Sequence, residues 1–231
     1  MLKTITSTLA PVHRAGWPFL AIGVALTLGG FLVEDSLGWV LAVLTAWIAY
    51  FFRDPDRVTP TRPGLVVSPA DGRVQLIMEA APPPELAMGD EPMTRISVFL
   101  NVFDVHVNRF PVDGRVCAAH YRAGKFLNAS LDKASVDNER MSLGIEMADG
   151  RRVACVQIAG LVARRIICEA VPGAEARAGA RYGLIRFGSR VDVYLPLGTA
   201  PLVVVGQRVI GGESVLADLA GSEPARSGEI R

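Results

Sequence analysis

Two uncharged apolar runs at the start of the chain constrain its folding more than any other feature. Trp17–Val33 reads WPFLAIGVALTLGGFLV and Leu37–Phe52 reads LGWVLAVLTAWIAYFF, with only Glu34, Asp35 and Ser36 between them. Each is near the lower limit for crossing a bilayer as a helix, about 17 residues at 1.5 Å rise. Together they predict a hydrophobic helical hairpin, with Trp17, Trp39, Trp47 and Tyr50 suited to membrane interfaces. A cleaved signal peptide fits poorly, because a second run follows at once and no small-residue cleavage site stands out. A hairpin buried in protein, or lying in the interface, stays open at these lengths. Lys3 and Arg14 precede the pair, Arg53, Arg57 and Arg62 follow it, and the turn between is acidic. The positive-inside rule then puts both ends in the cytoplasm and the remainder on the cytoplasmic face of the cell's inner membrane. The three following arginines are expected to attract anionic lipid headgroups.

After the Pro-rich linker RDPDRVTPTRPG the pattern changes to short apolar runs separated by Gly, Pro and Asp. Strands are predicted near 65–67, 73–78, 94–100, 105–109, 114–119, 142–147, 152–158, 164–169, 183–187, 190–195 and 202–205, with a weak helix around 123–134. Asp-Gly pairs stand at 71–72, 113–114 and 149–150, the last between two predicted strands as in a hairpin. The segment VVVGQRVIGGESVLADL at 203–219 resembles the hairpins of biotinyl- and lipoyl-carrier folds, and SPADGRVQLI at 68–77 reads as a similar half. The expected fold is mainly β, sandwich- or barrel-like with lipoyl-carrier-like hairpins, preceded by the hydrophobic helical hairpin. The expected organisation is a membrane-associating segment at 1–60, a β-rich domain at 61–220 and a disordered tail at 221–231.

Composition excludes several classes. The formal net charge is +1, without the basic surplus of a nucleic-acid binder, so no nucleic-acid partner is expected. Cys117, Cys155 and Cys168 are odd in number, scattered and without a CxxC, which argues against a disulfide framework or a zinc site. His13, His106 and His120 are too few for a multi-histidine centre, so no metal is expected.

Some polar residues sit where structure alone does not require them. Asp71, in SPADG, reads by itself as a turn aspartate bonded to its own backbone. Asp104, His106 and Asn108 would share one face of a strand, either a plain surface or a wet functional one. Arg164 and Arg165 are adjacent and point to opposite faces if extended, so one could meet a phosphate. Gly188 and Ser189 lie between two predicted strands, where a Gly-Ser pair is ordinarily a turn. The frame Phe-Gly-Ser-Arg-Val is not the GxSxG of a hydrolase elbow. From the residues alone, a non-catalytic membrane-anchored adaptor and a tethered serine hydrolase both stay open.

The motifs FFRDPDRVTP, SPADGRV, NVFDVHVNRFPVDG, NERM, QIAGLVARRI, GLIRFGSRVDVYLP and VGQRVIGGESVLA occur in one order across about residues 51–217. Together they resemble the phosphatidylserine decarboxylases, in particular their short bacterial and archaeal form. The resemblance implies a proenzyme cut between Gly188 and Ser189 into a β chain, 1–188, and an α chain, 189–231. Ser189 would become a covalent pyruvoyl group, the cofactor, whose ketone forms a Schiff base with the substrate's amine. Asp71 matches the family's triad aspartate. His106 matches the first of two histidines in the larger forms, and Arg109 stands where the second would be. The base role in cutting, in decarboxylation or in both thus falls to His106. Further implications are phosphatidylserine as substrate, anionic membrane lipid as partner, association of the α and β chains, and a homodimer of processed units.

Overall fold

The computed structural model describes residues 10–124, 137–160, 165–186 and 188–229. The chain divides between Asp56 and Arg57 into two compact units.

The first unit is the helical pair α1, Trp17–Val33, and α2, Asp35–Phe51. With a preceding 3-10 turn, the stretch Arg14–Val33 is 20 residues long and apolar enough to cross a membrane; α2 is shorter. Glycines let the helices approach: a Cβ on Gly30 would lie 3.2 Å from the Gly38 Cα. The Thr27 and Thr45 Oγ1 atoms lie 3.0 Å apart across the pair, and each is also within 2.8 Å of a carbonyl of its own helix. Large apolar side chains point outward, including Leu28, Leu32, Trp39 and Val43, the reverse of a soluble hairpin's pattern.

The second unit is antiparallel β throughout its named strands. Its strands are β1 (Leu65–Val67), β2 (Gly72–Ala80), β3 (Met93–Leu100), β4 (Val107–Arg109), β5 (Gly114–Arg122), β6 (Arg140–Glu146), β7 (Arg152–Ala159) and β8 (Ile166–Cys168). They continue with β9 (Glu175–Ala176), β10 (Arg181–Ile185), β11 (Ser189–Leu195), β12 (Arg208–Val209) and β13 (Val215–Asp218). Eight form one curled sheet in the order β12-β2-β3-β11-β7-β6-β5-β9, three form β4-β10-β8, and β1 pairs with β13. This is the mainly-β fold that the turn spacing predicts. Val98, Val116, Leu143, Val153 and Val191 from the large sheet meet Phe110, Tyr182 and Ile185 of the small sheet's chain in one core. The Asp149-Gly150 pair closes the β6–β7 hairpin, with Gly150 donating to the Met147 carbonyl at 3.0 Å.

The two segments likened to carrier-domain halves join each other where β12 pairs with β2, while β13 pairs with β1, just upstream of the first segment. Residues 202–205 form no strand, and in their vicinity pairing is limited to a bridge from Pro201 to Ala217. Most of the helix expected at 123–134 lies outside the described residues. Residues 221–229 are exposed and without regular structure, although Arg226 donates to the Leu202 carbonyl.

Candidate active site

β10 and β11 are consecutive in the chain but belong to different sheets. β10 lies between β4 and β8, and β11 between β3 and β7. The link at 186–188 is therefore a crossover between sheets, not the plain turn that Gly-Ser between two strands suggests. Gly188 has φ +61, in the left-handed region. A Cβ there would meet nothing within 4 Å among the described residues, so glycine is favoured by backbone angle rather than by space.

Ser189 opens β11, opposite Leu100 of β3 and Ala159 of β7. Strand alternation puts it on the side of Val191, Val193 and Leu195, which fill the main core. It is fully buried, and its Oγ has no hydrogen-bond partner among the described residues. A buried hydroxyl left this way costs about 1–3 kcal/mol. All seven residues of β11 are buried, so no bulk water is at hand to make up the missing bond.

His106 immediately precedes β4. The Ile185 N–H donates to its carbonyl at 3.3 Å, continuing the Leu184–Val107 register, so His106 and Ile185 share a face. Ile185 belongs to the main core, and His106 is itself fully buried. Its Nδ1 lies 2.9 Å from the Asp104 carbonyl. A carbonyl only accepts, so Nδ1 carries a proton, and in the neutral form of the ring the lone pair is at Nε2. His106 and Ser189 thus enter one core from two sheets.

The strand expected over 105–109 is only Val107–Arg109, and its polar residues do not form a wet face. Asp104, His106 and Asn108 are all buried. Asp104 closes a turn instead, accepting from the Asn101 N–H at 2.9 Å and from Arg208 at 3.2 Å. Asn108 accepts from Gln157 of β7 at 2.8 Å, a cross-sheet contact that periodicity cannot reveal.

Asp71 is held from two sides. Arg57 donates to its oxygens at 3.0 and 2.8 Å, and the Gly211 N–H at 2.8 Å. The SPADG loop also accepts at Pro69 from the Arg109 N–H, 2.9 Å away. Gly72 permits this: a Cβ there would sit 2.1 Å from the Phe99 carbonyl oxygen. Motifs more than a hundred residues apart meet around Asp71. Arg57 was expected to face lipid and Arg62 likewise; instead they pair with Asp71 and with Asp218. Arg53 lies over the Tyr50 ring at 3.9 Å. Nearby carboxylates and a ring in the fold claim these cations. Of the two candidate phosphate arginines, Arg165 is exposed just before β8, and Arg164 lies outside the described residues.

On the other face of β11, Arg190 and Asp192 form a buried ion pair at 2.9 Å. No motif in the sequence singles them out. Opposite charges two apart in a strand share a face, which was the available signal.

The sequence model described as phosphatidylserine decarboxylase matches residues 44–217. The chain belongs to this family. It is 63% identical over 224 residues to the phosphatidylserine decarboxylase proenzyme of Paramagnetospirillum magneticum, covering 96% of this chain and 92% of that protein. Identity to the proenzyme of Cereibacter sphaeroides is 60% over 230 residues, 100% of this chain and 99% of the relative. For that of Rickettsia rickettsii it is 56% over 220 residues, 94% of each. Family membership implies a pyruvoyl-type group, and the β10–β11 crossover fits one. It offers a serine whose buried hydroxyl makes no hydrogen bond within the described fold, directly after a glycine held left-handed.

Proposed function

We infer that this chain decarboxylates phosphatidylserine to phosphatidylethanolamine, in phospholipid biosynthesis, after cutting itself between Gly188 and Ser189. The observation that carries this reading is the buried Ser189 hydroxyl with no partner in the described structure, next to left-handed Gly188.

In self-processing, Ser189 Oγ attacks the Gly188 carbonyl and the amide becomes an ester. His106 Nε2, the lone-pair nitrogen, takes the hydroxyl proton. Loss of the Ser189 α-proton then expels the upstream chain as a carboxylate, leaving dehydroalanine at 189. One water hydrolyses it, releasing ammonia and leaving the pyruvoyl group on the α chain. Asp71 is the proposed orienting carboxylate, anchored by Arg57 and the Gly211 N–H.

When present, the group supplies a ketone that condenses with the substrate amine and draws off the electron pair left as carbon dioxide departs. In this reading His106 Nε2 returns a proton to the substrate α-carbon. The buried surroundings keep bulk water from that proton.

The α and β chains stay associated, because every named strand after residue 188 pairs with strands before it. We further propose assembly as a homodimer of processed units, tested by mass photometry in detergent. The apolar helical pair anchors the enzyme to the cell's inner membrane, with the β domain on the cytoplasmic face and anionic lipid around it. Arg164 and Arg165 are the proposed contacts for the headgroup phosphate.

Intact-mass measurement of the purified protein tests the reading. Two chains are expected, the smaller beginning at residue 189 with a blocked terminus. One uncut chain with serine at 189 refutes it and favours a non-catalytic adaptor.

A further inference from the structure

Arg186 ends the β10 side of the crossover, three residues before Ser189. β10 and β8 run antiparallel with Gly183 opposite Cys168, Leu184 opposite Ile167 and Ile185 opposite Ile166. The ladder continues one step, since the Arg186 N–H donates to the Arg165 carbonyl at 3.3 Å. Arg186 and Arg165 are therefore directly opposed, with side chains on one face and Cα atoms about 5.5 Å apart.

Like charges directly opposite one another destabilise a sheet. Arg165 is exposed and Arg186 half-buried, so the repulsion is only partly screened by water. Burial, and then the Arg165 charge, hold the Arg186 guanidinium below its ordinary value. Tyr121, pushed up by burial and then by the Glu139 carboxylate, also feels the Arg165 charge. The arrangement suits a bound anion. Two guanidinium forks side by side match the oxygens of a phosphodiester.

The position suits the substrate as well. In phosphatidylserine only the β-carbon and one ester oxygen separate the reacting α-carbon from phosphorus. Any phosphate site must then lie beside residue 189, and three residues of chain span roughly 10 Å at most.

We propose that Arg186 and Arg165 form a cross-strand clamp for the headgroup phosphodiester, and that Arg186 is a specificity-determining residue of the enzyme. This deepens the decarboxylase reading and rests on it. The clamp holds the phosphate at the outer end of the β10–β8 ladder and lets the serine moiety reach toward residue 189.

The test uses full-length protein in detergent micelles, with Arg165→Gln, Arg186→Gln and Arg186→Lys. Processing is read first by intact mass. Arg165→Gln is remote in sequence from the cut bond and carries the test if Arg186→Gln stays uncut. Kinetics are then compared on phosphatidylserine and on O-hexadecylserine, which keeps the amine and carboxylate but lacks phosphate. For Arg165→Gln the expected result is about a tenfold rise in KM for phosphatidylserine, the loss of one charge-assisted contact, with a smaller change in kcat. KM for O-hexadecylserine stays unchanged. Inhibition by glycerophosphoserine weakens in parallel, and Arg186→Lys recovers part of the loss. An unchanged preference for phosphatidylserine in a processed Arg165→Gln enzyme overturns the clamp, and points instead to the new Gly188 carboxylate as the anion served. Inorganic phosphate inhibiting as strongly as glycerophosphoserine also overturns it, in favour of a free-phosphate site. If the wild-type chain is uncut, or decarboxylates neither substrate, the underlying reading fails instead.

Discussion

The two sides of the Gly188–Ser189 bond are built very differently. Upstream, β10 is five residues long, lies in a three-stranded sheet and is followed by half-buried Arg186. Downstream, β11 has seven residues, all buried, with partners along both edges in the middle of the eight-stranded sheet. The asymmetry suits the cut proposed at this bond. The serine side is clamped on both edges, so its hydroxyl keeps one position, and the new chain end remains seated. The glycine side carries the unusual backbone angle and has open space beside it.

The sharpest way to break this comparison is Ser189→Ala. It should abolish cutting and decarboxylation completely, read by mass and by carbon dioxide release. Because it removes a buried hydroxyl that the described fold does not satisfy, it should not lower the melting temperature. A destabilised variant would mean that the hydroxyl is structural.

Next in size is Asp192→Ala, which leaves the Arg190 cation in β11 without its ion-pair carboxylate. A loss of about 3–5 kcal/mol in denaturant unfolding is expected. The double change Arg190→Met, Asp192→Leu should recover most of it, showing that the pair fills the strand rather than reacts.

Gly188→Ala tests the other side. Alanine in a left-handed conformation costs on the order of 1–2 kcal/mol, so cutting should slow by roughly tenfold without stopping. Since space is available at Gly188, a complete block would show that something other than backbone angle is at stake.

The smallest effect lies away from the cut, at Glu85. Burial pushes its carboxyl up, but hydrogen bonds from Arg140 and Ser142 outweigh this and bring it below the ordinary 4.5. Its stabilisation is therefore fully present above that value and is lost as pH falls through the lowered one. Glu85→Gln should reduce stability by about 1 kcal/mol at pH 7, because Glu85 is only half-buried and water screens part of the worth of hydrogen bonds to a charged group. The gap to wild type should shrink in melting curves taken below about pH 4.

Much of the fold is legible in the chain. Alternating apolar residues bounded by Gly, Pro and Asp predict most strands to within a few residues, because one buried face imposes a period of two. The two apolar runs predict α1 and α2 for the same reason of burial and length. Pairing is less legible. Asp71-Gly72 and Asp113-Gly114 look like Asp149-Gly150 in sequence, yet only the last closes a hairpin between the strands it joins. A local signal marks where a chain turns, not which strand it meets next. The same limit applies to the arginines after the helical pair, whose partners Asp71 and Asp218 no local pattern identifies.

What the sequence by itself determined is the chemistry: a serine after a glycine, a single histidine in an apolar run, an aspartate in SPADG, and an order of motifs shared by one enzyme family. These are properties of residue types and their order. Only the tertiary structure decided that Gly188–Ser189 is a crossover between sheets, that His106 enters the core, and that Arg186 stands opposite Arg165. Each of these depends on which distant strands pair, a choice made by packing the whole core rather than by any neighbouring residue.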